Sequence, residues 1–238
     1  MAKQPRQTIL VTGASSGIGA AVCRDLLEQG YAVVGLSRSI ADTAFDAAEF
    51  SALACDMRDR AALETQIKNL LKTDIDFAGA VFCAGSGYFG ALEQLNFKKV
   101  EALLDLNLLS PMFLSKLLVP GLKRRGAGHL VYLGSEAALQ GARNGSAYCA
   151  SKFGLRGFVQ SLREECRQSG VSVSLVNPGM VDTPFFDNLS FEPGEDASNR
   201  ISAEAVAACV ASIFAGETNS IIEEINLSPR NKVVRNKR

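Results

Sequence analysis

The sequence predicts an α/β fold: a doubly wound parallel sheet of about seven strands with helices on both faces, in one domain over residues 1–238. Three observations point there. Short runs rich in β-branched residues alternate with longer stretches whose apolar residues keep a helical spacing. Most strand runs are apolar at successive positions, as strands covered on two sides are. No Pro/Gly/Ser-rich linker or charge run interrupts the alternation, so one domain fits better than two.

The elements follow in order. QTILVTG opens as a strand, and after Gly17 the residues Ile18, Ala21, Val22 and Leu26 share one helical face. AVVGLSR is the second strand and FSALACDM a weaker one. AVFCAG is followed by a helix around LLDLNLLS, then by the strand HLVYLGS. After Ala147, the residues Leu155, Phe158, Val159, Leu162 and Cys166 again repeat at helical spacing. VSVSLVNPG is a strand. Ser202 is placed to cap a helix with Glu204 in its first turn, ending before Gly216, and IIEEINL closes the sheet. Two segments break the rhythm. Asp182 to Arg200 mixes Phe, Pro, Gly and charges and is too long for a routine connection, which predicts a substrate lid at about 184–200 or a poorly ordered loop. The tail from Arg230 to Arg238 holds five basic residues and no acidic ones, and reads as a solvated, frayed terminus, with a subunit or anionic contact as the alternative.

Composition removes several functions. Basic and acidic residues number 25 each, so the broad positive field of a nucleic-acid-binding domain is absent. No apolar run approaches 18 residues and the chain enters a strand almost at once, which argues against a membrane span or signal peptide and leaves the cytoplasm as the expected compartment. The six cysteines are scattered without a CxxC, so neither zinc nor a disulfide framework is expected. The one histidine, His129, precedes LVYLGS as a strand-edge residue and leaves a Ser-His-Asp hydrolase hard to build.

The first strand runs into Thr12-Gly13-Ala14-Ser15-Ser16-Gly17-Ile18-Gly19 and then a helix. Glycines there permit a tight turn and close approach of a phosphate, and the N–H groups of the helix start face the anion. The GxxxGxG spacing lacks the Lys-Ser/Thr end of a Walker A loop. The second strand ends Gly35-Leu36-Ser37-Arg38, with no carboxylate before Asp42. A carboxylate would repel a ribose 2′-phosphate, whereas Arg38 can grip one through paired donors, which points to NADP(H).

Chemistry concentrates in Ser135 and in Tyr148-Cys149-Ala150-Ser151-Lys152. Tyr148 and Lys152, four apart on a helix, share a face. A free tyrosine, with a pKa of about 10, is a poor acid-base at neutral pH. An ammonium about 4 Å away at an effective dielectric of about 20 favours the phenolate by up to roughly 4 kcal/mol, enough to bring it into a useful range.

TGASSGIG, Asn107, Ser135, YCASK and Pro178-Gly179-Met180-Val181-Asp182-Thr183 together resemble the short-chain dehydrogenase/reductases in order and spacing, along essentially the whole chain. TGxxxGxG matches the single-domain branch rather than the extended, epimerase-like branch. The resemblance implies a Rossmann-like fold and hydride transfer between NADP(H) and a carbonyl or alcohol. It makes Tyr148 the general acid-base and Ser135 the group that positions substrate. Lys152 orients the nicotinamide ribose and lowers the tyrosine pKa, and Asn107 holds a water in the proton relay. Gly13, Ser15, Ser16, Gly17, Ile18 and Gly19 would cradle the cofactor, with Ser37 and Arg38 at the 2′-phosphate. Asp56 and Met57 would lie by the adenine; Cys83, Ala84, Gly85, Pro178, Gly179, Val181 and Thr183 would line the nicotinamide side. One departure is Cys83, where the family has asparagine, which bears on stability more than on catalysis. Phe185, with Phe186, Leu189 and Phe191, would either close over an apolar substrate or pack on the neighbouring helix. Arg143 could meet an anionic group or stay solvated. A homodimer or homotetramer is implied by the same resemblance. The alternative function is a non-catalytic NADP-binding regulatory protein on this fold.

Overall fold

The computed structural model describes residues 6–40, 45, 47–73, 75–215 and 219–237; Met1–Pro5, Asp42, Gly216 and Arg238, invoked above, lie outside them. The chain starts in the middle of the sheet with β1 (Gln7–Thr12), turns through α1 (Gly17–Glu28), and adds β2 (Ala32–Ser37) and β3 (Phe50–Ala54) on one side. After α2 (Arg60–Leu70) it crosses back to lay β4 (Asp76–Phe82) against β1. Then α3 (Phe97–Leu104), α4 (Ser110–Arg125), β5 (Gly128–Leu133), α5 (Ser146–Cys166), β6 (Val171–Pro178), α6 (Ala203–Phe214) and β8 (Glu224–Leu227) follow. The sheet order is β3-β2-β1-β4-β5-β6-β8, parallel throughout. This is the Rossmann-like arrangement expected, and the reversal between β1 and β4 opens a crevice at the C-terminal strand ends.

The period-2 alternation of β1 sorts its side chains between two cores. Ile9 and Val11 face Val22, Leu26, Val206 and Val210 of α1 and α6. Leu10 faces Leu63, Leu114, Leu118 and Leu155 of α2, α4 and α5. Helix starts are fixed where the sequence supplies side-chain oxygens: Asp59 Oδ1 accepts from Ala62 N (3.0 Å) at α2, and Ser202 Oγ from Ala205 N (3.1 Å) at α6. The helix expected around LLDLNLLS is two helices joined by a wide π turn, Asp105–Leu109. The continuous run Phe97–Arg125 is long and apolar enough to cross a membrane by length and composition, contrary to expectation. Its apolar residues Leu114, Leu118 and Leu122 are buried against the sheet.

His129 lies inside β5, paired with Gly79, its ring on Phe214 at 5.5 Å. It stands at the N-terminal end of β5, whereas Ser135 follows the C-terminal end. All six cysteines are free.

The two irregular segments meet. Residues 184–200 form a short turn (Pro184–Phe186), a strand β7 (Phe191–Pro193) and a second turn (Ala197–Asn199). The tail forms β9 (Val234–Asn236), antiparallel to β7. The expectation of a frayed terminus is thereby corrected. Acidic residues of the loop face basic residues of the tail: Arg235 bonds Glu192 and Glu195, and Lys237 Nζ donates to the carbonyls of Phe186 and Asp187.

Candidate active site

The crevice is built first from glycine. Gly13 adopts φ +68° and its N–H donates to Leu36 O (2.8 Å); a Cβ there would lie 2.9 Å from the Ala84 backbone. A Cβ at Gly19 would lie 2.2 Å from Gly13 O. Gly17, at φ +52°, abuts Thr183, whose side chain a Cβ would meet at 3.2 Å. The turn therefore brings the start of α1 and the segment after β6 together. Ser16 at the α1 N-cap makes no side-chain capping bond, and no acidic residue stands in the first turn, an arrangement that suits an anion.

At the end of β2, Arg38 is exposed and the Ser37 hydroxyl is buried without a partner among the described residues. Asp56, beyond β3, is held down to about 2, chiefly by its hydrogen bond from Arg58, with Arg38 adding a smaller pull. The Met57 side chain is buried in the core, and its carbonyl accepts from Ser110 Oγ (3.0 Å), so what Met57 offers a cofactor is limited to its backbone. Next to β1, Ala84 N donates to Thr12 Oγ1 (3.1 Å), which fixes the Cys83-Ala84-Gly85 turn. Burial pushes the Cys83 thiol well up, so it stands there as a neutral volume filler.

Ser135, Tyr148 and Lys152 meet at the far side of this crevice. A cleft of about 690 Å³ is lined by all three, together with Ile18, Cys83, Gly85, Pro178, Gly179, Val181 and Thr183. Tyr148 is 7% exposed, with its ring 4.9 Å from Phe89 and 6.0 Å from Phe185. One turn on, Lys152 donates from Nζ to Leu133 O (2.9 Å) and stands 5.9 Å from the centre of the Tyr148 ring. Burial pushes the Tyr148 phenol up to about 12, with a hydrogen bond from Ser135 pulling the other way. Burial also draws Lys152 down to about 8. Without a bound cofactor, burial therefore acts on both groups against their charged forms, raising the phenol and lowering the ammonium.

Asn107 occupies the π turn between α3 and α4. Its Oδ1 accepts from Ser86 N (2.9 Å), and its Nδ2 donates to Ser86 O (2.9 Å) and Ser151 Oγ (3.1 Å). Its side chain is thus engaged in holding the turn after β4 to α5. A second bracket is absent from the sequence reading: Asn177 Oδ1 accepts from Ser135 N (3.3 Å), while its Nδ2 donates to Glu224 (2.7 Å) and Asn226 (2.9 Å). Its place just before Pro178-Gly179 at the end of β6 is the signal that could have found it. Phe185 packs beside Tyr148 of α5, as one of its two readings expected, and it also lines the cleft. Arg143 lines the cleft and is exposed.

The family model for short chain dehydrogenases matches residues 7–193, from β1 through β7. The chain belongs to the short-chain dehydrogenase family. Human retinol dehydrogenase 8 is 34% identical over 199 residues, covering 79% of this chain and 63% of that protein. An alcohol dehydrogenase from the archaeon Thermococcus sibiricus, solved with 5-hydroxy-NADP, superposes with a TM-score of 0.84 at 25% identity, over 96% of this chain and 99% of that one. A metagenomic short-chain oxidoreductase solved with NADP gives 0.80 at 30% identity, over 95% and 98%. This short-chain dehydrogenase is accordingly an oxidoreductase, and the residues on its crevice fit a dinucleotide: a glycine cradle, a helix start open to an anion, and an orphaned hydroxyl beside Arg38.

Proposed function

We propose that the protein reduces a carbonyl compound with NADPH, reversibly, with Tyr148 as the acid-base group. The observation that carries this is the convergence of Tyr148, Ser135 and Lys152 on one cleft that reaches Ile18 of the glycine turn. Gly13 to Gly19 and the start of α1 would hold the diphosphate, Arg38 and Ser37 the 2′-phosphate, Asp56 the adenine side, and Thr183 the nicotinamide side. NADPH supplies the hydride to the carbonyl carbon when bound. The protein's part is to place the carbonyl oxygen between Ser135 and Tyr148 and to deliver the phenol proton to it as negative charge develops. A phenol held near 12 is protonated at neutral pH, which suits the reducing direction. Lys152, on the same wall, would hold the ribose and restore the proton balance of the phenol. Asn107 keeps the Gly85-Ser86 turn and α5 in register.

The outer cleft supports an apolar substrate. Phe89, Phe185, Phe186 and Phe191 form a connected set of rings with neighbouring centroids 5.0 to 5.9 Å apart, next to Tyr148. The likeness to retinol dehydrogenase 8 agrees with such a body. The exposed Leu109, Met112 and Phe153 support pairing of two copies through α4 and α5 as a dimer or tetramer. Action in the cytoplasm completes the reading. The test is loss of nicotinamide absorbance when the purified protein is mixed with NADPH or NADH and a panel of aldehydes and ketones. NADPH-dependent turnover supports it. Tight NADPH binding with no turnover across an extract of cell metabolites would favour a regulatory NADP-binding protein instead.

A further inference from the structure

The C-terminal strand shares the cleft with Tyr148. Lys232, Val234 and Asn236 all line it, and Asn236 pairs with Phe191 of the loop after β6. We propose that β9 is a wall of the substrate site that helps decide which carbonyl compounds enter, a proposal that rests on the reductase reading.

The period of a strand sorts this segment into two duties. Val234 and Asn236, two apart, reach the cleft, while Arg235 between them bonds Glu192 and Glu195. Val234 is 60% exposed, an apolar surface left open inside a cleft that already holds four phenylalanines. A substrate body seated among those rings would cover it. The wall is also tied to the chemistry: Lys232 Nζ donates to Glu136 Oε2 (2.6 Å), and Glu136 directly follows Ser135.

The ties are numerous and individually weak. Backbone bonds run from Gly194 N to Val233 O (3.0 Å), from Lys237 N to Ser190 O (2.8 Å) and from Asn231 N to Ser198 O (2.9 Å). The ion pairs of Arg235 and Lys232 are solvent-exposed, and such pairs contribute little each. A two-stranded ribbon of three-residue strands is marginal on its own. Without β9, β7 has no strand partner among the described residues and the aromatic loop loses its outer support. The wall therefore holds by the sum of its contacts, and removing it should loosen the loop without disturbing the seven-stranded sheet.

The experiment compares the full chain with a variant ending at Pro229, with Val234→Trp, and with the pair Arg235→Glu and Arg235→Glu/Glu192→Arg. NADPH affinity is read by fluorescence titration, steady-state reduction with 4-nitrobenzaldehyde and with propanal, and amide exchange of residues 186–195 by mass spectrometry. Truncation should leave NADPH affinity within about twofold and raise KM for the aromatic aldehyde roughly tenfold, the equivalent of exposing one buried valine-sized contact. Exchange at 186–195 should rise while β1 to β6 stay protected. Val234→Trp, which keeps the ribbon, should penalise the aromatic aldehyde more than propanal. The charge reversal should loosen 186–195 and the double reversal restore it. Unchanged KM ratios in both the truncated and Val234→Trp proteins overturn the wall, as does unchanged exchange on truncation. If the full chain reduces neither aldehyde, that counts against the reductase reading, and unchanged exchange at 186–195 on truncation would still overturn the proposed wall.

Discussion

Replacing Lys152 with methionine should make the ligand-free protein more stable near pH 7 and less stable near pH 10.5. Lys152 is 6% exposed and has one hydrogen bond among the described residues, to Leu133 O. Burial draws its pKa from an ordinary 10.5 to about 8. The folded-state value lies below the unfolded one, so between about pH 8 and 10.5 the unfolded chain binds more protons, and this group's contribution to stability rises with pH through that window. Below it the penalty for the buried charge is complete, about 3 kcal/mol. Methionine fills a similar volume uncharged and forfeits the bond to Leu133, worth ~1 kcal/mol. The net expectation is a gain of about 2 kcal/mol near pH 7 that reverses to a loss of about 1 kcal/mol once the lysine is neutral. Urea denaturation of both proteins at the two pH values measures this difference, in which Tyr132 and the cysteines other than Cys83, common to both chains, cancel; Cys83 faces Lys152 and is read together with it. A variant less stable at both pH values, or a difference that does not move with pH, would refute the reasoning. A lysine kept at such a penalty fits a site that trades stability for function.

Three further outcomes are expected. Arg38→Ala should weaken NADPH about 10- to 100-fold, the equivalent of a lost charge-assisted contact, and leave NADH nearly unchanged; equal losses in titrations of both would remove the 2′-phosphate role. Gly19→Ala places a Cβ 2.2 Å from Gly13 O and should lower the urea midpoint by the equivalent of ~1–3 kcal/mol, together with NADPH affinity. Asn107→Ala leaves the Ser86 N–H and C=O without their side-chain partner and should destabilise by about 1–3 kcal/mol, with faster amide exchange at Ser86.

The sheet was legible because its inner strands are covered on both faces and carry uninterrupted apolar runs; even the weak FSALACDM run supplies β3 at the more open edge. The glycine turn was legible because two of its glycines take positive φ and the third has no room for a Cβ. Ser202 announced α6 through its own side chain. What was hidden depends on distant partners. The π turn at Asn107 has no local signature. Three-residue strands such as β7 and β9 are too short to show a period, and the match of Glu192 and Glu195 to Arg235 spans about 40 residues of chain. The Tyr148–Lys152 pair was visible as a spacing, but its protonation depends on burial, which spacing does not report. Asn177 shows the same limit: an asparagine ending a strand looks ordinary until Gly134, Ser135, Glu224 and Asn226 are brought round it.

The most direct test of the account is NADPH oxidation with an aromatic aldehyde by the full chain and by Tyr148→Phe. Loss of the phenol proton should lower kcat by about 10²- to 10⁴-fold and leave NADPH affinity within a few-fold, since the ring's contacts with Phe89 and Phe185 survive. A Tyr148→Phe protein that keeps the parent's kcat would contradict the assignment of the acid-base group.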